Sequence, residues 1–117
     1  MSNKNILRKA LEQAKHSTVQ QFTVVAVVSL NDMPIFACSN RRGSGRVSKW
    51  STHAEEAAVE KCRRQGYDPY DLSMTVLRIG RGSRLMMSKP CSGCQDLIVD
   101  FNQVYYSDED GLIRRLH

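Results

Sequence analysis

Thr52-His53-Ala54-Glu55 and Pro90-Cys91-Ser92-Gly93-Cys94 are the two stretches whose joint reading decides what this 117-residue chain can be. Together they spell His-x-Glu followed by Pro-Cys-x-x-Cys. Imidazole nitrogen and thiolate sulfur are the ligands of tetrahedral zinc, and His53, Cys91 and Cys94 supply three of them. A closed structural site needs a fourth. His16 and His117 lie near the ends of the chain, and Cys38 and Cys62 sit in apolar settings. Three protein ligands leave one position for water, whose pKa a bound zinc brings to roughly 7. Such a centre needs a neighbour that moves protons, and the carboxylate of Glu55 is the candidate. Glu55 stands two residues from His53, a spacing at which helix side chains do not face each other. That sets it aside as a fellow ligand and leaves it for proton work.

Each motif opens a predicted helix. Ser51 or Thr52 caps the first, which runs to about Gly66, with Ala54, Ala57, Ala58 and Cys62 as its apolar stripe and Arg63 and Arg64 in its last turn. Pro90 fits the first turn of the second, which runs to about Asn102. Cys91 and Cys94 then share one face near the positive helix end that favours thiolate, and Leu97, Ile98 and Phe101 continue that face into a core. Structural alternatives exist for both motifs. Thr52-x-x-Glu55 is also a capping box, in which Glu55 serves the backbone. An isolated Cys-x-x-Cys also suits a redox pair or half of a structural zinc site. The two motifs in this order favour the catalytic reading.

The length suits one domain, residues 1–117. Charged residues make up 25% and hydrophobic residues 41%, the balance of a soluble globular protein. Seventeen Lys and Arg against twelve Asp and Glu leave +5, which favours anionic partners such as nucleotides or nucleic acid. No signal peptide or membrane-spanning run is apparent, so a cytoplasmic protein with no membrane partner is expected. Cys38 and Cys62 read as buried thiols.

The rest of the chain alternates helix and strand. Residues 4–16 form an amphipathic helix, basic on its polar face, that suits packing on a sheet better than membrane or nucleic-acid contact. Phe22–Leu30 and Pro34–Ser39 form a hairpin around the turn Asn31-Asp32-Met33-Pro34. Asn40–Lys49 is a loop entering the first motif; Arg41, Arg42, Arg46 and Lys49 make it either a phosphate-binding element or a solvated surface. Trp50 suits base stacking or the core. Leu72–Ile79 is a third strand. Gly80–Arg84 is a second basic loop, and Leu85–Met87 extends the sheet edge. Val104–Ser107 and Leu112–Leu116 are the fourth and fifth strands. The four residues between them are too few for a crossover, so the pair is antiparallel.

With both motifs, in this order and with these elements around them, the chain resembles the cytidine deaminase superfamily over nearly its whole length. The resemblance implies an α/β, three-layer α/β/α fold with a five-stranded mixed sheet and the site between the N-termini of the two motif helices. It implies Zn2+ held by His53, Cys91 and Cys94, with Glu55 as the proton-transferring catalytic group. The reaction implied is hydrolytic deamination of a cytosine-type base, with release of ammonia. Asn40 matches the family residue that contacts the sugar. Arg41 and Arg42, by their charge, and Ala54 and Tyr106 complete the expected substrate contacts. The substrate expected is a cytidine or deoxycytidine nucleoside or nucleotide. The first motif begins with His, where free-cytidine enzymes usually carry Cys, and Tyr105-Tyr106-Ser107-Asp108 is similar to a segment of deoxycytidylate deaminases. The short turn before the fifth strand is closer to the free-nucleoside enzymes. The alternative substrate is cytosine within single-stranded DNA or RNA, favoured by the positive charge. Adenosine in tRNA and guanine-type bases use the same zinc chemistry. From a different class, a non-catalytic zinc-stabilised binding module uses the same ligands. Family members are usually homo-oligomers, and the same is expected here.

Overall fold

The segment Thr23–Leu30, β1, has five successive buried residues, Val25 to Ser29. A strand with no exposed alternation is covered on both faces. The computed structural model describes residues 3–14, 23–42, 51–80, 82 and 84–117, without the side chains of Asn3, Arg42 and Ser51, and it supplies both covers. On one face lies α1, Asn3–Ala14, whose Ile6 and Ala10 pack with Val25, Val27, Ala37, Leu77 and Ile79. On the other lie α2, Ala54–Gln65, and α3, Ser92–Leu97. Ala54, Ala58 and Cys62 meet Ala26, Val28, Met74, Val76, Ile98 and Val104 there. Val25 and Val27 thus face α1 while Ala26 and Val28 face α2, the period-2 alternation of a pleated strand. The amphipathic first helix packs on the sheet, as its pattern predicts.

Asn31 and Asp32 alone make the first turn, both at positive φ (50° and 68°). A two-residue hairpin turn demands such angles, and Asn and Asp tolerate them. β2 therefore starts at Met33 and runs to Ser39, antiparallel to β1. β3, Arg41–Arg42, and β4, Ser51–Thr52, pair as a separate two-stranded ribbon at the ends of the loop that enters the first motif. The rest of that loop, with Arg46, Lys49 and Trp50, lies outside the described residues, as do Lys15, His16, Phe22, Arg81 and Ser83.

The main sheet has six strands, not five. β5, Ser73–Ile79, is antiparallel to β1 along its whole length. Its other edge is shared. β7, Gln103–Ser107, runs parallel to Ser73–Val76, and β6, Leu85–Met86, pairs antiparallel with Arg78 and Ile79. β7 stops at mid-strand, and the returning chain takes the donors and acceptors left over, which turns the expected edge extension into a paired strand. β8, Ile113–Arg115, closes the far side antiparallel to β7. The strand order is β2-β1-β5-β7-β8, with β6 on β5.

α3 ends at Leu97, five residues short of the expected stop. Ile98-Val99-Asp100-Phe101-Asn102 is a run of weak helix formers, and their backbone is better served elsewhere: Phe101 N–H donates to Ile98 O, and Asn102 N–H to Leu72 O. Ile98 is fully buried directly after the helix. Ile98→Ala is therefore expected to cost about 2–5 kcal/mol, read as a lower urea midpoint at unchanged slope. No helix among the described residues is long and apolar enough to cross a membrane.

Candidate active site

α2 starts one residue later than its sequence suggests. His53, not Ser51 or Thr52, is the N-cap, in extended conformation (φ −69°, ψ 150°). Its backbone N–H donates to Glu56 Oε1 at 3.1 Å. Glu56, not Glu55, is thus the carboxylate that serves the helix start, which removes the capping alternative for Glu55. The extended His53 also changes the spacing rule. Facing at i and i+2 is forbidden only within a helix, and His53 is outside it, so both His53 and Glu55 look into one cleft. Removing the Glu56 carboxylate, as in Glu56→Ala, is expected to cost about 0.5–2 kcal/mol, measured by denaturant titration.

Cys91 is the N-cap of α3, and its carbonyl accepts from Gln95 N–H; Cys94 is fully buried one turn on. His53 Nδ1 lies 3.1 Å from Cys94 Sγ and 4.0 Å from Cys91 Sγ. All three ligand atoms fall within 4.8 Å of one another. Zn–S bonds of about 2.3 Å and Zn–N bonds of about 2.0–2.1 Å in a tetrahedron space nitrogen and sulfur by roughly 3.5 Å. The two observed distances bracket that value.

The electrostatics fit the same occupant. Burial pushes the Cys94 thiol far up, and the charges of Glu55 and Cys91 push it further. A thiol so placed becomes a thiolate only beside a strong cation, which a bound zinc would supply. Burial likewise holds Glu55 above the ordinary carboxylate range, against its own backbone N–H, the His53 ring and a hydrogen bond with Cys94. Glu55 is 5% exposed. A carboxyl held above its ordinary range gives up its proton less readily, which suits a group that must carry protons.

The cleft holds about 260 Å³, just under the range of roughly 300–1,000 Å³ for drug-sized ligands. Val24 and Arg78 from the sheet, His53, Ala54 and Glu55 from the start of α2, and Cys91 line it. Asn40 joins them from the end of β2. It is nearly buried; its N–H donates to Val24 O at 3.0 Å, and its Oδ1 accepts from Val24 N–H at 2.9 Å. Asn40 and Ala54 thus both line the cleft.

Arg41 and Tyr106 do not line the cleft. β3 carries Arg41 outward, where it lies 3.9 Å from Glu60 on α2. Strand alternation puts Tyr106 with Val104, in register with Val76 on one side and Arg114 on the other. The Arg42 side chain lies outside the described residues. Arg78, Met87, Ser88 and Lys89 line the cleft and were not singled out by the sequence. Lys89 carried a signal, as a cation directly before Pro90. Arg78 carried none, since it sits within a run that reads as a buried strand.

A family model of the cytidine and deoxycytidylate deaminase zinc-binding region matches residues 1–107. Among solved structures, a cytidine deaminase from Burkholderia pseudomallei is similar at TM-score 0.74 and 18% identity, over 98% of this chain and 91% of that one. A dCMP deaminase from the cyanophage S-TIM5 is similar at TM-score 0.66 and 21% identity, over 91% of this chain and 82% of that one. A cytidine deaminase from Mycobacterium leprae gives 0.65 and 16%, over 93% and 88%. At these identities the likeness is one of fold. Comparison with curated proteins gives no match.

Proposed function

The chain belongs to the cytidine and deoxycytidylate deaminase family, and from that premise we propose that it hydrolyses the exocyclic amine of a cytosine nucleoside or nucleotide, giving the uracil product and ammonia. The observation that carries this reading is one cleft in which the three-ligand group His53, Cys91 and Cys94 adjoins the buried carboxyl of Glu55. Zinc held by those ligands supplies a water acidic enough to be a nucleophile near neutral pH. Glu55 takes the attacking water's proton on its carboxylate oxygen and delivers it to the ring nitrogen next to the reacting carbon. It then takes the proton of the hydroxyl newly joined to that carbon and gives it to the departing amine, so that the carbonyl forms as ammonia leaves. Its burial keeps bulk water from competing for that proton. Ala54 offers its backbone N–H, one of the unpaired donors of a helix start, to the base. Asn40, clamped to Val24 through its Oδ1, offers its amide nitrogen to a sugar hydroxyl. We read residues 1–117 as a single domain with this site.

The test is ammonia release by the zinc-loaded protein offered cytidine, deoxycytidine, their monophosphates and a cytosine-containing single-stranded oligonucleotide. Turnover on a nucleoside or monophosphate, abolished in Glu55→Gln, upholds the reading. Turnover on the oligonucleotide alone transfers it to polynucleotide editing, and zinc binding without ammonia from any of them sinks it.

A further inference from the structure

Two cations line the cleft that the proton chemistry does not use: Arg78 at the C-terminal end of β5, and Lys89 between β6 and α3. Their placement is built. Ser88 Oγ donates to Val76 O at 2.6 Å and accepts from Ser107 N–H at 2.9 Å. Ser88 N–H donates to Ser107 O at 2.8 Å, and Arg78 N–H donates to Ser107 Oγ at 3.4 Å. Val76 precedes Arg78 by two residues on the same strand, and Ser88 is next to Lys89. One buried network therefore sets the backbones of both cations relative to each other.

The charge balance says what they face. Two thiolates cancel a divalent zinc. What remains among the described lining residues is Arg78 and Lys89 against a single carboxylate, Glu55. A neutral nucleoside brings no charge to these two cations, whereas a phosphomonoester carries about −1.5 to −2 at neutral pH. Arginine grips phosphate oxygens in pairs, and lysine adds a mobile point charge.

We propose that Arg78 and Lys89 form a phosphomonoester subsite that makes a cytosine nucleoside monophosphate the preferred substrate over the free nucleoside. The inference rests on the deaminase reading of the same cleft. It moves the phosphate contact from the basic loop to the sheet edge and the segment before the second motif.

The test compares kcat/KM for cytidine, deoxycytidine and their monophosphates in wild type, Arg78→Gln and Lys89→Ala. In parallel, calorimetry measures the binding of the same four compounds to Glu55→Gln with and without each substitution. The wild type should prefer the monophosphates by about tenfold or more. Each substitution should lower that preference by about tenfold, mainly through KM, as expected for one charged hydrogen bond lost. The preference should also shrink as salt rises from about 0.05 M to about 0.5 M. Equal efficiency on nucleosides and monophosphates overturns the inference. So does an equal loss on both in Lys89→Ala, or a preference for an oligonucleotide, whose phosphates are diesters. Lys89 is exposed, so its variant keeps the test decisive if Arg78→Gln does not fold. If no compound yields ammonia, the deaminase reading has failed, and calorimetry judges the subsite alone. Tighter monophosphate binding that Lys89→Ala weakens supports it, and equal binding of nucleoside and monophosphate overturns it.

Discussion

Glu55→Gln is expected to lower turnover by about 10²–10⁴-fold, the usual worth of a positioned general acid–base, while the protein still binds zinc stoichiometrically. Gln keeps the size and polarity of the side chain but cannot carry a proton. Glu55 is not one of the three ligand residues, and the helix start is served by Glu56, so neither metal nor fold depends on its charge. A stability readout should move the other way. Burial raises the folded-state pKa of Glu55 above its unfolded value. The folded protein then holds the proton longer, so relative stability is present below the unfolded pKa and is lost as pH rises through the folded one. In metal-free protein the Gln variant escapes that loss. It should melt higher than wild type at neutral pH, with the gap closing toward the acid side of the carboxylate range. A variant that loses turnover together with zinc, measured by metal analysis, would instead make Glu55 part of the metal shell. Unchanged turnover would remove Glu55 from the proton chemistry.

Removing zinc is expected to abolish turnover and to lower thermal stability. A ligand present at about a thousand times its dissociation constant adds roughly 4 kcal/mol. For a domain of this size that corresponds to a drop in melting temperature on the order of 10–20 °C on chelation. The molecule itself accounts for the direction. Without a cation, Cys94 is buried beside Glu55 and Cys91 with its thiol pushed far up. The metal-free site also leaves three polar ligands without the partner they are arranged for. Cys91→Ala should copy the effect of chelation on activity, because Cys91 is exposed and its loss leaves no core cavity. Cys91→Ala protein that keeps full activity would exclude the three-ligand group as the catalytic metal centre.

The residues that make the metal centre were legible because their chemistry is scarce. His, Glu and a Cys-x-x-Cys pair at helix starts have few other uses, and the first motif helix lies where its apolar stripe puts it, whereas the second stops at Leu97, before Ile98 and Phe101. The strands Thr23–Leu30 and Ser73–Ile79 were legible for a similar reason, since long β-branched runs leave little choice. What escaped depends on register. Arg78 reads as an interruption of a buried strand until its pairing with Val24 and Met86 shows which face and which end it occupies. Ser88 and Ser107 are common residues, and only the meeting of β6 and β7 on one edge of β5 makes them a buried pair. The arginines of the loop drew attention by number, yet Arg41 points to Glu60 on the outer face of α2. Charge density along a chain does not locate charge in space.

Parallel pairing of β5 with β7 obliges the chain between Ile79 and Gln103 to cross over, touching the sheet edge as β6 on the way. Both cysteines ride on that excursion, whereas His53 caps a helix that contacts the β1–β2 hairpin. The hairpin closes over two residues; the crossover must first pay the entropy of a long loop. The three ligands therefore meet only when both the hairpin side and the crossover side of the sheet are in place. Metal binding is thus a readout of long-range assembly, since a chain with only one of the two sides formed lacks a complete ligand set.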